Sequence, residues 1–247
     1  MTAVTIDANL QEVRARIAAA AEAAGRAADA VTLLAVSKTQ PAAAVLAALQ
    51  AGQRAFGENY AQELRDKDAE VRALALMTGD LPPPRWHFIG PLQKNKVRLV
   101  VGRAALIHTV DDADLLDEIA RRARAAGQIQ ECLVQVNIDA EPQKAGCAPA
   151  ALAALLDRFA SVAGARCVGL MCIPRAAPDG SSAAEAASTA RPSFRALRLL
   201  LEREAQTPRD NVALRELSMG MSQDYAAAIA EGATLVRVGT AIFGARG

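Results

Sequence analysis

Aromatic residues are scarce in this chain: 3% of its 247 residues, with one tryptophan and two tyrosines, so there is little to stack on nucleobases. Charge of one sign is missing too, because 28 basic residues against 27 acidic ones leave a formal charge of +1 with no basic tract. Nucleic-acid binding therefore has no footprint. No stretch approaches the roughly 20 consecutive apolar residues needed to span a bilayer. The opening MTAVTIDANL lacks the charged start and apolar run of an export signal, so a soluble, cytoplasmic protein with no membrane partner is expected. Cysteine is sparse: Cys132, Cys147, Cys167 and Cys172 form no CxxC pair, and the two histidines, His87 and His108, stand apart from them. That spacing argues against a structural zinc site, and no metal is expected. Cys132, Cys167 and Cys172 fall in strand-like runs, where reduced cysteine acts as a small buried apolar residue, and Cys147 reads as a loop thiol.

What is abundant is apolar sequence, 52% of the chain, arranged as an alternation. An alanine-rich helix over 7 to 28 is followed by strand signals near 31 to 37, 54 to 59, 85 to 90, 105 to 110, 131 to 138, 166 to 173, 213 to 218 and 234 to 239. Helical composition lies between them, at 41 to 51, 60 to 76, 112 to 126, 148 to 162, 191 to 205 and 222 to 231. Eight strands separated by helices over this length match one (β/α)8 barrel domain spanning 1 to 247. A doubly wound open sheet is the alternative; it would carry a Gly-rich turn after its first strand, where this chain has SKTQP. Two stretches read as loops: 77 to 84, stopped by Pro82, Pro83 and Pro84, and 175 to 190, rich in small and polar residues.

In such a barrel the active face is the carboxyl end of the strands, with phosphate held by the loops after strands seven and eight. Lys38 closes the first strand, where burial would depress its pKa and make its amine a nucleophile for a carbonyl; a solvated rim charge is the ordinary alternative. Strand seven runs into Ser218-Met219-Gly220-Met221-Ser222, with Ser222 a fitting N-cap, and strand eight into Gly239-Thr240. Glycine, hydroxyls and exposed amides at both junctions make an anion site, assigned to Ser218, Gly239 and Thr240 with Met219 and Gly220 as further backbone donors. Period-two alternation that turns Arg237 into the barrel also turns Leu235 inward. A buried guanidinium needs a partner, either Glu58 or Glu216 across the barrel or the ring nitrogen of a pyridine cofactor. Asn59 ends a strand where it could touch such a ring, and Val36 and Met171 could wall it, although Met171 also suits plain core. His87 has no partner suggested by sequence and reads as a satisfied strand histidine.

AVSKT at 35 to 39, FGENY at 56 to 60, WHFIGPLQKNK at 86 to 96, VNIDAEPQKAG at 136 to 146, GLMCIP at 169 to 174, LSMGMSQDYAAAI at 217 to 229 and VRVGTAIFGAR at 236 to 246 occur in this order along the chain. In these motifs the chain resembles the pyridoxal-phosphate homeostasis proteins, the YggS/PROSC family. The resemblance implies a barrel like the N-terminal domain of alanine racemase (fold type III), with pyridoxal 5'-phosphate as a Schiff base on Lys38. It further implies Arg237 facing the pyridine nitrogen and Ser218, Gly239 and Thr240 on the phosphate. It implies a carrier that buffers and hands over the cofactor inside the cell without robust turnover, with apo pyridoxal-phosphate enzymes as acceptors; a monomer is expected, although no sequence feature specifies the oligomeric state. The residues agree: an arginine at the ring nitrogen disfavours its protonation and weakens the ring as an electron sink. Alanine racemase takes a second acid-base group from a second domain, whereas this sequence ends at Gly247, just past the barrel. The competing expectations are an amino-acid racemase or decarboxylase using Lys38 with His87 or Tyr60 as second base, and a phosphate-sugar barrel enzyme without this cofactor. Lys94, Lys96 and Arg98 form a basic cluster read as a solvated helix face.

Overall fold

In the computed structural model, which describes residues 3–78 and 81–244, parallel strands close into a barrel. The strands are β1 (Thr32–Val36), β2 (Ala55–Glu58), β3 (Arg85–Phe88), β4 (Ala104–Val110), β5 (Gln130–Gln135), β6 (Ala165–Met171), β7 (Val212–Ser218) and β8 (Leu235–Val238). They are ordered β1 to β8 around the barrel, and β8 pairs back onto β1 with Arg237 opposite Leu34. The closure excludes the open doubly wound sheet. Before β1 lies α1 (Ala3–Ala23); after it come α2 (Ala42–Gln50), α3 (Ala61–Thr78), α4 (Val97–Val100), α5 (Ala113–Ala125), α6 (Leu152–Ser161), α7 (Ala183–Ala205), α8 (Tyr225–Ala230) and α9 (Thr240–Phe243).

Two apolar layers result from the pleat. Outward-facing strand residues such as Phe56, Trp86, Cys132 and Cys167 pack beneath the helices, and Leu106, Leu133, Val168, Met171 and Leu235 form a separate plug inside the barrel. Helix α1 adds a stripe at helical spacing, Ile6, Leu10, Val13, Ile17 and Ala21, all buried. It packs on α2, α8 and α9, and the Asn9 amide donates to Ile242 O at 2.9 Å, tying the first helix to the last turn.

Several boundaries differ from expectation for local physical reasons. The stretch 175 to 190 is only half a loop, because α7 begins at Ala183: Ser182 and Glu185 form a reciprocal capping box, and the alanines behind them favour helix. Pro192 sits inside this helix; lacking an N–H, it forgoes one helical bond without ending the run. Ser222 is not the cap of α8, which opens at Tyr225 after Asp224. A 3-10 turn at Lys94–Lys96 leads into α4, and the cluster's Lys94 pairs with Asp114 at 2.8 Å. Cys147 does lie in the connection after β5, but it is buried, its backbone bonded to Gln135 and Asn137. Part of the 77 to 84 stretch, Gly79 and Asp80, lies outside the described residues. Among the described residues no helix is long and apolar enough to cross a membrane, and no group of His, Cys, Asp or Glu is arranged to hold a metal.

Candidate functional site

At the carboxyl end of the strands a cleft of about 240 Å³ brings together Lys38, Asn59, Arg237, Gly239 and Thr240 from the expected set, with Val36 on its wall. That space suits one substituted ring rather than a dinucleotide.

Lys38 lies two residues beyond β1, and its turn is held from behind. Thr39 has φ 63°, a left-handed conformation unfavourable for a β-branched residue. Its N–H donates to Glu63 Oε1 at 2.5 Å. Lys67 Nζ donates to Ser37 O, Glu58 Oε1 and Glu63 Oε1, each at 2.7 Å, and the Ser37 hydroxyl donates to Glu58 Oε1 at 2.6 Å. Glu58 and Lys67 are buried, and Glu58 Oε2 has no partner among the described residues. Burial pushes the Glu58 carboxyl above its ordinary pKa against the opposing pull of Lys67. The backbone on both sides of Lys38 is thus fixed by an ionic cluster lying outside the barrel wall.

Asn59 is set by close backbone approach: a Cβ at Gly90 would fall 2.1 Å from Asn59 O, so only glycine fits there. Asn59 Oδ1 is buried without a partner among the described residues. Arg237 is 6% exposed, and no described carboxylate lies within ion-pair distance of it. The expected pairing with Glu58 or Glu216 is therefore not made: Glu58 engages Lys67, and Glu216 accepts from the Thr234 hydroxyl. Instead Arg237 donates from Nη1 to Ser218 Oγ at 2.7 Å and from Nη2 to Cys172 O at 3.0 Å. Burial draws its pKa below the ordinary value, with Cys172 and Asp224 pulling the other way.

Beneath Arg237 a chain of polar contacts crosses the barrel. Ser218 Oγ is 2.9 Å from His108 Nδ1, and His108 Nε2 is 2.9 Å from His87 Nδ1. All three side chains are buried, and His87 Nε2 has no partner among the described residues. Burial lowers the His87 pKa to about 3, and that of His108 falls well below the ordinary value for the same reason. His87 is accordingly a strand histidine satisfied at one nitrogen only.

Four of the expected residues are not on the cleft wall. Ser218, the last residue of β7, points inward below Arg237 and is fully buried. Met219 is buried and spends its N–H on Leu235 O. Gly220, with φ 92°, abuts α8, where a Cβ would come 2.6 Å from that of Ala228, and its carbonyl accepts from Arg237 N. Met171 belongs to the interior plug. The turn that does reach the cleft is the next one, Met221-Ser222. Its backbone bonds run from Asp224 and Tyr225 to Met221 O, and Asp224 Oδ1 takes the Met221 N–H at 2.5 Å, leaving the Ser222 and Gln223 amides outside these bonds.

Sequence reasoning missed Gln40, Ile89, Ile173, Met221, Ser222, Phe243 and Gly244 as wall residues. Position carried the signal for some of them. Ile89 lies one residue past the end of β3 and Ile173 two past the end of β6, on the face where barrel clefts form.

The family model for the alanine racemase N-terminal domain matches residues 8–247. The pyridoxal phosphate homeostasis protein of Pseudomonas aeruginosa is 45% identical over 242 residues, covering 98% of this chain and 96% of that one. The protein of the same name from Escherichia coli is 42% identical over 238 residues, covering 96% and 95%. Among solved structures, PipY of Synechococcus elongatus with bound PLP superposes with TM-score 0.79 at 37% identity, covering 97% of this chain and 100% of that one. Alanine racemase of Bartonella henselae shares the fold at TM-score 0.65 and 15% identity, covering 100% of this chain and 60% of that one. On the family match and on identity over nearly its whole length, this chain belongs to the alanine racemase N-terminal domain family, among the pyridoxal phosphate homeostasis proteins.

Proposed function

We propose that this protein binds pyridoxal 5'-phosphate at the mouth of its barrel, holds it as a Schiff base on Lys38, and buffers and delivers it inside the cell without robust turnover. When bound, the cofactor supplies an aldehyde that condenses reversibly with a primary amine. The observation that carries the proposal is the convergence in one cleft of a lysine, a buried arginine with no carboxylate partner among the described residues, and two hydroxyl-bearing turns.

The residues fit the group. Lys38 is the amine, on a turn held by Lys67 and Glu63. Arg237 presents a guanidinium to the ring nitrogen and cannot hand it a proton, which keeps the ring a weak electron sink. Asn59 offers an unpartnered amide oxygen, a buried polar atom suited to a ring hydroxyl. The phosphate falls to Gly239 and Thr240 at the start of α9 and to Ser222, whose hydroxyl and amide replace the expected Ser218, Met219 and Gly220.

The wall of the cleft also supports a carrier rather than a racemase or decarboxylase. Its described residues include only two titratable side chains, Lys38 and Arg237. His87 lies below in contact with His108, and Tyr60 is not on the wall. Among the described residues no second acid-base group lines the cleft. Apo forms of pyridoxal-phosphate enzymes are the acceptors in this reading, and the carrier works as a monomer.

Two measurements on the cofactor-loaded protein test it. Titration with an apo pyridoxal-phosphate enzyme should reconstitute that enzyme faster than spontaneous release allows. Single-enantiomer amino acids in deuterated water should gain no α-deuterium above the free-cofactor rate. Enzymatic deuterium incorporation, or transfer no faster than release, would overturn the proposal.

A further inference from the structure

The chain beneath Arg237 has a direction, and that direction can be deduced. Arginine can only donate, so at 2.7 Å the Ser218 oxygen must accept from Nη1. Burial keeps both imidazoles neutral, so each carries one N–H. Two arrangements of the remaining hydrogens are then possible. In the first, the Ser218 hydroxyl donates to His108 Nδ1, His108 Nε2–H donates to His87 Nδ1, and the His87 Nε2–H alone is left without a partner among the described residues. In the second, His87 Nδ1–H donates to His108 Nε2, and His108 Nδ1–H donates to Ser218. That leaves two groups unmatched, the Ser218 O–H and a bare His87 Nε2. Each unmatched buried group carries the penalty of lost hydration with nothing to replace it, so the first arrangement, with one such group against two, is favoured.

We propose that His108 and Ser218 are positioning residues for Arg237: His108, locked as the Nε2–H tautomer by His87, draws the Ser218 proton to its Nδ1 and leaves the serine lone pairs facing the guanidinium. With Nη2 bound to Cys172 O, both terminal nitrogens of Arg237 are anchored, and the guanidinium is presented to the cleft in one orientation. The two histidines hold the arginine without contributing charge. Their relevance to the cofactor rests on the function proposed above; the hydrogen-bond polarity does not.

The chain contains only two histidines, so 15N-histidine labelling of the apo protein reads both rings directly. Long-range proton–nitrogen correlation should show both as neutral Nε2–H tautomers between pH 5 and 8, because burial lowers both pKa values below the ordinary imidazole range. A ring protonated at Nδ1 would overturn the assignment without reference to any variant or ligand. Replacing His108 separates positioning from packing. Asparagine can keep an acceptor near the Nδ1 position and leucine cannot, so His108→Leu should speed exchange of the Arg237 Nη protons by about tenfold or more, while His108→Asn retains most of their protection. Equal exchange in wild type and His108→Leu would overturn the positioning role. In the loaded protein the visible absorption maximum should move in His108→Leu and not in His108→Asn. If the wild type binds no pyridoxal phosphate, the proposed function falls while the tautomer and exchange results still stand or fail on their own.

Discussion

Lys38 and Arg237 face one cleft from opposite kinds of support. Behind Lys38, outside the barrel wall, lies an ionic cluster in which one lysine serves two carboxylates and a carbonyl. Beneath Arg237, inside the barrel, lies a line of neutral groups ending in two uncharged histidines. The difference follows from surroundings. The outer cluster opens toward solvent through Glu63, which is 22% exposed, so net charge is tolerable there. The interior holds a cationic arginine with no described carboxylate within ion-pair distance and only the more distant pull of Asp224, and any further positive charge would raise its cost. A barrel can thus support a lysine and an arginine at one opening with charge where water is near and with hydrogen-bond polarity where it is not.

The largest effect should come from breaking the ionic side. Lys67→Met leaves Glu58 buried without its cation and should cost about 3–5 kcal/mol in urea unfolding, and adding Glu58→Gln should recover a large part of that. No loss in the single variant, or no recovery in the double, would show that the cluster does not hold the Lys38 turn. On the neutral side Ser218→Ala removes the group between Arg237 and His108 and should cost less, about 1–3 kcal/mol. A cost equal to that of Lys67→Met would erase the distinction between the two supports.

Acid sharpens the contrast further. His87 is neutral when folded because its pKa is depressed from 6.5 to about 3, so between those values the unfolded chain binds a proton that the native state refuses. Stability from this group is complete above pH 6.5 and falls as pH drops toward 3. The slope approaches ~1.4 kcal/mol per pH unit for each such histidine. His87→Phe should flatten the acid limb of stability against pH by up to that amount, and an unchanged limb would mean the histidine charges freely in the native state. The smallest effect belongs to the edge of the ionic cluster: Glu63→Gln weakens a charge-assisted bond to the Thr39 amide and should cost about 0.5–1.5 kcal/mol. Its larger signature should be lower cofactor affinity, read by titration, because the turn it loosens carries Lys38.

Much of this was legible in the sequence. Eight strand signals between helical segments specified the barrel, because apolar strand runs and alanine-rich helices each declare their period locally. Lys38, Arg237, Gly239 and Thr240 could be placed because the fold rule names the end of the barrel that carries chemistry. The helix start at Ser182 was hidden because Pro192 reads as a terminus until the capping box is seen to nucleate the helix earlier. The sequence reading put Ser218 on the phosphate and Ser222 at a helix cap; β7, which ends at Ser218, instead turns the first down toward Arg237, and the second reaches the cleft. Lys67 with Glu63 is an ordinary i,i+4 helix pair, but the bond of Lys67 to Ser37 O and the contact of His87 with His108 join different strands and helices, and such pairings are set by barrel register, which no local pattern encodes.

The most direct test concerns Lys38. Protein incubated with an equimolar amount of pyridoxal phosphate, reduced with borohydride and digested should carry the reduced cofactor on the peptide containing Lys38, and Lys38→Ala treated in the same way should carry none. Recovery of the label on another lysine, or equal labelling of the variant, would contradict the assignment of Lys38 as the residue that holds the cofactor.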